Sequence, residues 1–286
     1  MGRELERMGA PFRQPEWSAL ALIEAPDYVR RAHASFIQAG ADVITTNSYA
    51  LVPFHIGEER FAAEGRRLAD LAGRMARQAA DEAGRRIMVA GSLPPLFGSY
   101  RPDLFDAARA PALLGVLIAG LAPHVDFWLA ETQGSVAEVA AVGAALAGDD
   151  KPLWLSFTLE DETRSTPKLR SGEPVARAAE IAAELGAAAL LFNCSQPEVM
   201  RSALAAARET LARRGATIRT GAYANAFPPQ TKDAEANAGL HGMRAEIDPQ
   251  GYLRFAATWA ADGASIIGGC CGIGPQHIAA LAQALR

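Results

Sequence analysis

Apolar segments of strand length alternate along this chain with longer stretches of helical period, and this alternation restricts the fold more than any other feature. The pattern is typical of repeated βα units, in which helices pack around a parallel sheet. Seven strands are predicted, at residues 42–47, 87–93, 127–131, 153–157, 188–193, 218–224 and 265–269. Helices are predicted at residues 61–83, 136–147, 174–185, 197–213 and 252–261. The predicted fold class is therefore α/β.

A (β/α)8 TIM barrel is the predicted architecture, with its first strand missing or truncated. Such barrels typically contain about 250 residues, and this chain has 286. The segment from Gly2 to Gly9 is predicted to be a short loop and helix, so the first strand would have to precede Met1. An open doubly wound sheet is the alternative, although no GxGxxG motif follows an early strand. No repeat or linker divides the chain, and a single domain over residues 1–286 is predicted.

Composition and charge exclude several classes of function. The formal net charge is −4, from 28 basic and 32 acidic residues without a basic tract, which argues against nucleic acid and anionic membranes as partners. No apolar run is long enough to cross a bilayer and the amino terminus lacks a signal peptide, so a cytoplasmic location is predicted. Three cysteines are too few for a disulfide framework, which leaves metal binding, catalysis or simple burial as their roles.

All three cysteines follow predicted strands. Cys194 comes directly after the strand at residues 188–193, and Cys270 and Cys271 come directly after the last strand. The carboxyl ends of parallel strands form one face of a barrel, so these thiols are expected to converge. Three thiolates on a tetrahedral Zn²⁺ leave one position open for a substrate. The sequence therefore predicts a zinc site at this face.

Burial is the alternative explanation, because free cysteine is among the most frequently buried residue types. The glycines that flank the cysteine pair favour the metal site instead. Gly268, Gly269 and Gly272 would allow a positive φ or a close backbone approach, which two adjacent cysteines need in order to face one ion.

Three segments resemble motifs of the homocysteine S-methyltransferases. The run GGCCGIGPQHI at residues 268–278 closely resembles their GGCCG-x-x-P-x-H-I signature. The run FNCS at residues 192–195 resembles their N-C-S strand end, and AGADVITTNSY at residues 39–49 is similar to their AGADVITTN-x-Y segment. The likeness extends from Gly2 to the carboxyl terminus. It implies a barrel in which Cys194, Cys270 and Cys271 hold Zn²⁺ and the homocysteine sulfur takes the fourth position.

The resemblance also implies a reaction, the transfer of a methyl group to the thiol of homocysteine to give methionine. A metal-bound thiol is deprotonated at neutral pH, which makes the sulfur a nucleophile. S-methylmethionine or S-adenosylmethionine is the expected donor, because the chain lacks the additional modules of cobalamin-dependent methionine synthases. Betaine as donor and a selenol as acceptor are alternatives within the family.

Two hypotheses of other classes remain open. One is a non-catalytic zinc- or thiol-binding barrel. The other is a metal-free barrel enzyme, which would need a strand-end lysine or a late glycine-rich phosphate loop. Neither feature is evident, since Lys232 lies in a polar loop and residues 268–272 carry the cysteine pair.

Four further side chains are predicted to contact substrate. Glu131 ends a strand and resembles the family's glutamate that contacts the homocysteine amino group, through charge-assisted hydrogen bonds. A solvated or helix-capping glutamate is its alternative. Asn47 and Asn225 lie at strand ends and would orient substrate or hold loops. Tyr49 would line the donor pocket, because an aromatic face stabilises a cationic methyl donor, or would pack in the core.

The sequence departs from the family at its beginning. Family members begin with a strand that ends in Asp-Gly-Gly, and no such segment precedes Met1. That aspartate is expected to help hold the substrate ammonium, so one substrate contact is predicted to be missing with the strand. A gap in a barrel exposes two sheet edges. Either the true start lies upstream of Met1, or something else, such as a partner chain, fills the gap. A homo-oligomer is among the expected assemblies.

Overall fold

One parallel sheet forms the centre of the protein. The computed structural model describes residues 1–162, 166–229 and 242–286. Within these ranges seven strands pair in sequence order, each with the next. They are β1 (Val43–Thr45), β2 (Met88–Leu93), β3 (Phe127–Gln133), β4 (Leu153–Phe157), β5 (Ala189–Asn193), β6 (Arg219–Tyr223) and β7 (Ile266–Ile267). Every predicted strand is confirmed, with small differences at the ends.

Helices connect the strands and cover the outside of the sheet. They are α1 (Gly2–Arg7), α2 (Ser18–Glu24), α3 (Pro26–Gln38), α4 (Pro53–Ile56), α5 (Glu58–Asp81), α6 (Ala110–Leu121), α7 (Val136–Ala145), α8 (Val175–Glu184), α9 (Pro197–Arg213), α10 (Pro249–Ala261) and α11 (Pro275–Leu285). The five predicted helices are confirmed, and α9 has the predicted bounds. Helix starts follow local chemistry, since Ser135 and Glu138 form a capping box at α7 and a proline opens α9, α10 and α11. No helix in the described part of the chain is long and apolar enough to cross a membrane.

Both faces of the sheet are buried, and strand alternation divides its side chains between them. On β3, Trp128 and Ala130 pack in the large core that the helices share, whereas Phe127 and Leu129 pack with side chains of other strands. This second cluster consists of strand residues, so it lies on the inner face of the sheet. Continuing the alternation along β3 places Glu131 on the inner face as well.

The outer layer of helices is continuous around the sheet. Eight helices contact one another in a closed series, α3 with α5, then α6, α7, α8, α9, α10 and α11, and α11 with α3 again. At the last contact Arg286 Nη2 donates hydrogen bonds to Gly40 O at 2.5 Å and to Asp42 Oδ1 at 2.6 Å. The helical layer therefore has the eight members and the closure of a barrel.

The sheet itself is open. Among the described residues β1 and β7 are its two edges and do not pair, so the sheet is a curled parallel sheet of seven strands, consistent with the predicted barrel whose first strand is missing or truncated. Residues 1–42 form α1, α2 and α3 and one isolated bridge between Arg13 and Trp17, with no strand before β1. The seven strands are those that the sequence predicted, and none of them lies in residues 1–42.

Candidate metal and substrate site

The three predicted metal ligands converge at the carboxyl ends of β5 and β7. Their Sγ atoms all lie within 4.8 Å of one another, and those of Cys194 and Cys271 are 3.8 Å apart. Tetrahedral zinc–sulfur bonds of about 2.3 Å place two ligand sulfurs about 3.8 Å apart. The donor set and its spacing therefore fit a tetrahedral soft-metal site. Among the described residues, no other group of three or more cysteine, histidine or acidic side chains has this arrangement.

Backbone hydrogen bonds hold each cysteine against strand β6 or its extension. Cys270 N donates to Ala224 O at 2.9 Å, and Cys271 O accepts from Ala226 N at 2.9 Å. Cys194 N donates to Tyr223 O at 3.3 Å, and Cys194 itself has a left-handed backbone with φ of 52°. The thiols are thus directed inward by the pairing of three adjacent strands.

Two of the three flanking glycines are needed where the sequence predicted them. Gly272 has a φ of 83°, in the left-handed region that favours glycine. A Cβ on Gly269 would lie 2.1 Å from Ile273 Cγ2, so no side chain fits there. A Cβ on Gly268 would meet Tyr223 Cβ at 3.4 Å, an ordinary contact. The predicted need for glycine is therefore wrong at position 268.

The thiols share negative charge unequally. Hydrogen bonds from Cys194 and Cys270 hold the pKa of the Cys271 thiol well below its ordinary value. The same contacts with Cys194 and Cys271, together with burial, raise the pKa of Cys270 well above its ordinary value. These pKa directions describe a thiolate at Cys271 that accepts hydrogen bonds from two protonated thiols. A bound cation would favour loss of the remaining protons.

Asn193 ties the metal side of the site to the neighbouring strands. Its Oδ1 accepts hydrogen bonds from Thr132 N at 3.0 Å and Ser156 Oγ at 2.7 Å. Its Nδ2 donates to Thr132 Oγ1 at 2.8 Å and lies 3.8 Å from Cys270 Sγ. The amide is fully buried. It therefore has a fixed orientation and points one donor toward a thiol.

Glu131 lies half-buried on the inner face of β3, where alternation predicts it. Ser92 Oγ donates a short hydrogen bond to its Oε1. Burial raises the pKa of Glu131 to about 7, against the opposing effect of the Ser92 hydrogen bond, and the charge of Cys271 raises it further. The carboxyl is therefore within electrostatic reach of the thiols. A substrate cation between the two groups would favour its ionised form.

Two tyrosines lie beside the thiols. Tyr49 Oη is 2.6 Å from Ser99 Oγ, and Tyr100 Oη donates to Cys194 O at 3.2 Å. Burial raises the pKa of both phenols well above the ordinary value, and the charge of Cys194 adds to the increase. The structure thus brings Tyr49 to the predicted site and adds Tyr100.

The two predicted asparagines are buried and bonded mainly to backbone. Asn47 Nδ2 donates to Ser18 O at 2.9 Å, a contact that holds the start of α2. Asn225 Oδ1 accepts from Phe227 N at 3.2 Å, while its Nδ2 has no hydrogen-bond partner in the described ranges. These contacts favour the loop-holding role for Asn47 and leave one donor of Asn225 available to a ligand.

Sequence reasoning missed Asn193, Tyr100 and Ser92. Asn193 had a signal, since it stands in the FNCS run and alternates with the inner-face residues of β5. Tyr100 had none, because it reaches Cys194 from a loop and with a φ of 66°. Lys232, considered for a metal-free enzyme, lies outside the described residues.

Comparison with known proteins gives a consistent result over the whole chain. A family model described as homocysteine S-methyltransferase matches residues 1–285. The homocysteine S-methyltransferase of Escherichia coli (strain K12) is 29% identical, with 98% of this chain and 92% of the relative covered. The selenocysteine methyltransferase of Astragalus bisulcatus is 24% identical, with coverage of 97% and 88%. The metallated crystal structure of the homocysteine methyltransferase MmuM from Escherichia coli matches with a TM-score of 0.76 and 28% identity, over 99% of this chain and 93% of that one.

Proposed function

This chain belongs to the homocysteine S-methyltransferase family, and from that premise we propose that it moves a methyl group from a sulfonium donor to homocysteine. The donor in this proposal is S-methylmethionine or S-adenosylmethionine, and the product is methionine. Cys194, Cys270 and Cys271 hold Zn²⁺. The observation that carries the proposal is the convergence of these three thiols at one strand-end face with Glu131.

The sulfur donor set supports zinc, a borderline-soft ion that takes tetrahedral thiolate ligands. When bound, the ion lowers the pKa of the homocysteine thiol so that its sulfur is an anionic nucleophile at neutral pH. That sulfur attacks the methyl carbon, and the bond between this carbon and the donor sulfonium breaks. With S-methylmethionine, the leaving group is methionine, the methylated acceptor is a second methionine, and the acceptor's thiol proton goes to solvent.

Glu131 anchors the substrate ammonium in this proposal. The Ser92 hydrogen bond fixes one carboxylate oxygen, and Tyr223 is close enough to lower the pKa of the carboxyl by hydrogen bonding. A carboxyl with a pKa of about 7 is partly protonated at neutral pH, and an ammonium beside it would restore the charged form. The amino acid would thus be held at both its ammonium and its sulfur, and correct orientation of the reacting atoms accounts for much of the rate in such reactions.

Tyr49 and Tyr100 support a cationic donor. Tyr100 Oη donates to Cys194 O, and the charge of Cys194 raises the pKa of Tyr49. An aromatic face attracts a sulfonium as it does other cations. The phenols keep their protons because burial raises their pKa, so they add no further anion. Asn225, whose Nδ2 has no hydrogen-bond partner among the described residues, is proposed to orient the substrate.

The scaffold is proposed to be a single-domain (β/α)8 barrel, of which the described residues form seven strands. The closed series of eight helices supports this, because a ring of eight helices encloses eight strands in such barrels. The position of the eighth strand is the gap between β7 and β1.

A selenol acceptor is the second candidate. The relative from Astragalus bisulcatus is named a selenocysteine methyltransferase, and a selenol would use the same metal chemistry. Selenocysteine is one carbon shorter than homocysteine, so the distance between the thiol cluster and Glu131 should select between them.

Metal content and methionine formation test the proposal together. We expect about one zinc per chain by elemental analysis in the unmodified protein, and almost none in a Cys270→Ala, Cys271→Ala double variant. Methionine should form from homocysteine with a sulfonium donor, faster than with betaine and faster than methylation of selenocysteine. Absence of zinc after reconstitution under reducing conditions would contradict the metal site. Zinc without turnover would instead indicate a non-catalytic thiol-binding barrel.

A further inference from the structure

Asn193 is a fully buried side chain beside the thiols and has no role in the reaction described so far. It lies on the inner face of β5, directly before Cys194, as alternation with the inner-face residues of that strand requires. Its Nδ2 donates to Cys270 Sγ, and the two atoms are 3.8 Å apart. Sulfur is a larger acceptor than oxygen, so a hydrogen bond forms at this greater distance. The amide thus contacts a proposed metal ligand on another strand.

The other contacts of the amide fix which of its ends faces the sulfur. Its Oδ1 accepts from Thr132 N at 3.0 Å and from Ser156 Oγ at 2.7 Å. A backbone N–H can only donate, so the atom that it contacts is the amide oxygen. The nitrogen has two hydrogens, one for Thr132 Oγ1 at 2.8 Å and one for Cys270 Sγ. The orientation is therefore set by the protein, with an N–H directed at the sulfur.

A bulge in β3 supplies two of these contacts. Where β3 pairs with β4, two residues of β3, Glu131 and Thr132, oppose Ser156 alone. Thr132 has a left-handed backbone with φ of 60°, and both its N–H and its hydroxyl bond to Asn193. Bulges of this kind redirect groups next to functional sites. The local fold thus holds the amide in place beside the thiols.

The proposed reaction gives the hydrogen bond to sulfur a chemical consequence. A methyl donor at this site faces three ligand thiolates as well as the substrate sulfur, and only the substrate should be methylated. Methylation of a ligand would convert an anionic thiolate into a neutral thioether and weaken the metal site. An N–H that donates to a thiolate stabilises its charge, and part of that stabilisation is lost as the sulfur becomes neutral. The hydrogen bond therefore lowers the nucleophilicity of the ligand.

We propose that Asn193 is a positioning residue that protects the Cys270 thiolate from methylation, so that the methyl group goes to the substrate sulfur. The inference rests on the proposed function for the metal at the three thiols and for the reactive methyl donor. It adds to that function a control over which sulfur reacts.

Site-resolved methylation of the zinc-loaded protein by methyl iodide tests this role. The reagent is small and neutral, so its rate at each sulfur reports the nucleophilicity of that sulfur. The thiolate attacks the methyl carbon, the carbon–iodine bond breaks and iodide leaves. Fragmentation mass spectrometry locates the methyl groups. The measured quantity is the ratio of methylation at Cys270 to methylation at Cys194 and Cys271.

Two substitutions remove the donor in different ways. Asn193→Leu removes it without adding charge and should raise the ratio by about 10-fold, because the thiolate loses a charge-assisted hydrogen bond. Asn193→Asp keeps an acceptor for Thr132 N and Ser156 Oγ but places no N–H against the sulfur. It should raise the ratio at least as much.

Thr132→Val is the matched control. It removes the other acceptor of the same Nδ2 group and leaves the N–H that is directed at Cys270. The methylation ratio of this variant should equal that of the unmodified protein.

A second measurement uses the unmodified protein loaded with an NMR-active cadmium isotope. A side-chain amide proton of Asn193 should show scalar coupling to the metal through Cys270 Sγ, which proximity without a hydrogen bond does not produce. This measurement decides the proposal even if the Asn193 variants do not fold.

An unchanged methylation ratio in both Asn193 variants would overturn the role. So would an equal rise in Thr132→Val, or absence of coupling between the amide proton and cadmium. Failure of the proposed function has a different signature, in which no methionine forms from homocysteine and a sulfonium donor while the methylation ratio still depends on Asn193.

Discussion

The two sides of the strand-end face are built differently. On the thiol side, β5, β6 and β7 pair continuously, and each cysteine is held by a backbone hydrogen bond to β6 or its extension. On the gap side, β7 and β1 end without a partner in the described residues, and contact between α11 and α3 closes the outer layer alone. The positions of the three thiols therefore depend on local strand pairs and not on closure of the sheet. The cluster of three thiols is therefore complete although the sheet of the described residues is open.

The strongest test of the thiol side is Cys194→Ala. This change removes the ligand on β5 and leaves the pair after β7, so a tetrahedral site with three protein ligands is no longer available. Loss of a group outside the ligand shell typically costs about 10- to 100-fold in metal affinity, and loss of a ligand should cost more. Zinc titration with a competing chelator measures the effect. Retention of the unmodified affinity would mean that Cys194 is not a ligand.

Glu131→Gln tests whether the substrate side depends on charge. We expect kcat/KM for homocysteine to fall by about 10- to 100-fold, because a charge-assisted hydrogen bond to the ammonium is lost, while zinc content stays the same. Glu138→Gln is the matched control. Burial also raises the pKa of Glu138 to about 7, but this glutamate caps α7. That variant should lower stability without a selective effect on homocysteine. Equal kinetic losses in the two variants would contradict the anchor role.

Acid should destabilise the protein through buried histidines near β1. Burial lowers the pKa of His33, on α3, to about 3 and that of His55, on α4, to about 4. The unfolded chain binds these protons near pH 6.5, so this stability is fully present above that pH and is lost as the pH falls. At pH 5 each buried histidine should lower the free energy of unfolding by about 2 kcal/mol relative to its value well above pH 6.5. Urea unfolding at pH 7 and pH 5 measures the loss, and His33→Gln should reduce the difference. A pH-independent midpoint would refute this account.

The smallest effect is expected at the helical contact across the gap. Arg286→Ala removes the hydrogen bond to Gly40 O and the ion pair with Asp42, both of which lie at the surface. Exposed ion pairs typically contribute less than about 1 kcal/mol, so the thermal midpoint should change little and zinc affinity should not change. A large loss of zinc affinity in this variant would show that the two sides of the face are coupled after all.

Much of this arrangement could be predicted from the sequence, for identifiable reasons. The convergence of Cys194 with Cys270 and Cys271 follows from the common face of parallel strand ends. The inner position of Glu131 follows from alternation along β3. Both rules act within regular strands, where the period of the sequence fixes the direction of each side chain.

Tyr100 escaped prediction because it lies where no such period exists. It reaches Cys194 from a loop through a left-handed backbone. Its partner is 94 positions away along the chain. The closure of the helical ring across the open sheet was also not predicted, because it depends on packing between α3 and α11, which lie at opposite ends of the sequence.

The left-handed backbone of Cys194 makes the proposed metal ligand costly for the stability of the chain. A non-glycine residue in this region typically costs about 1–2 kcal/mol, and glycine or asparagine would relieve part of that cost. Selection for thermal stability alone would favour substitutions at this position. Such substitutions would remove the proposed metal ligand. Stabilising variants obtained by screening for folding should therefore include inactive proteins altered here, whereas a screen that demands activity should leave Cys194 unchanged.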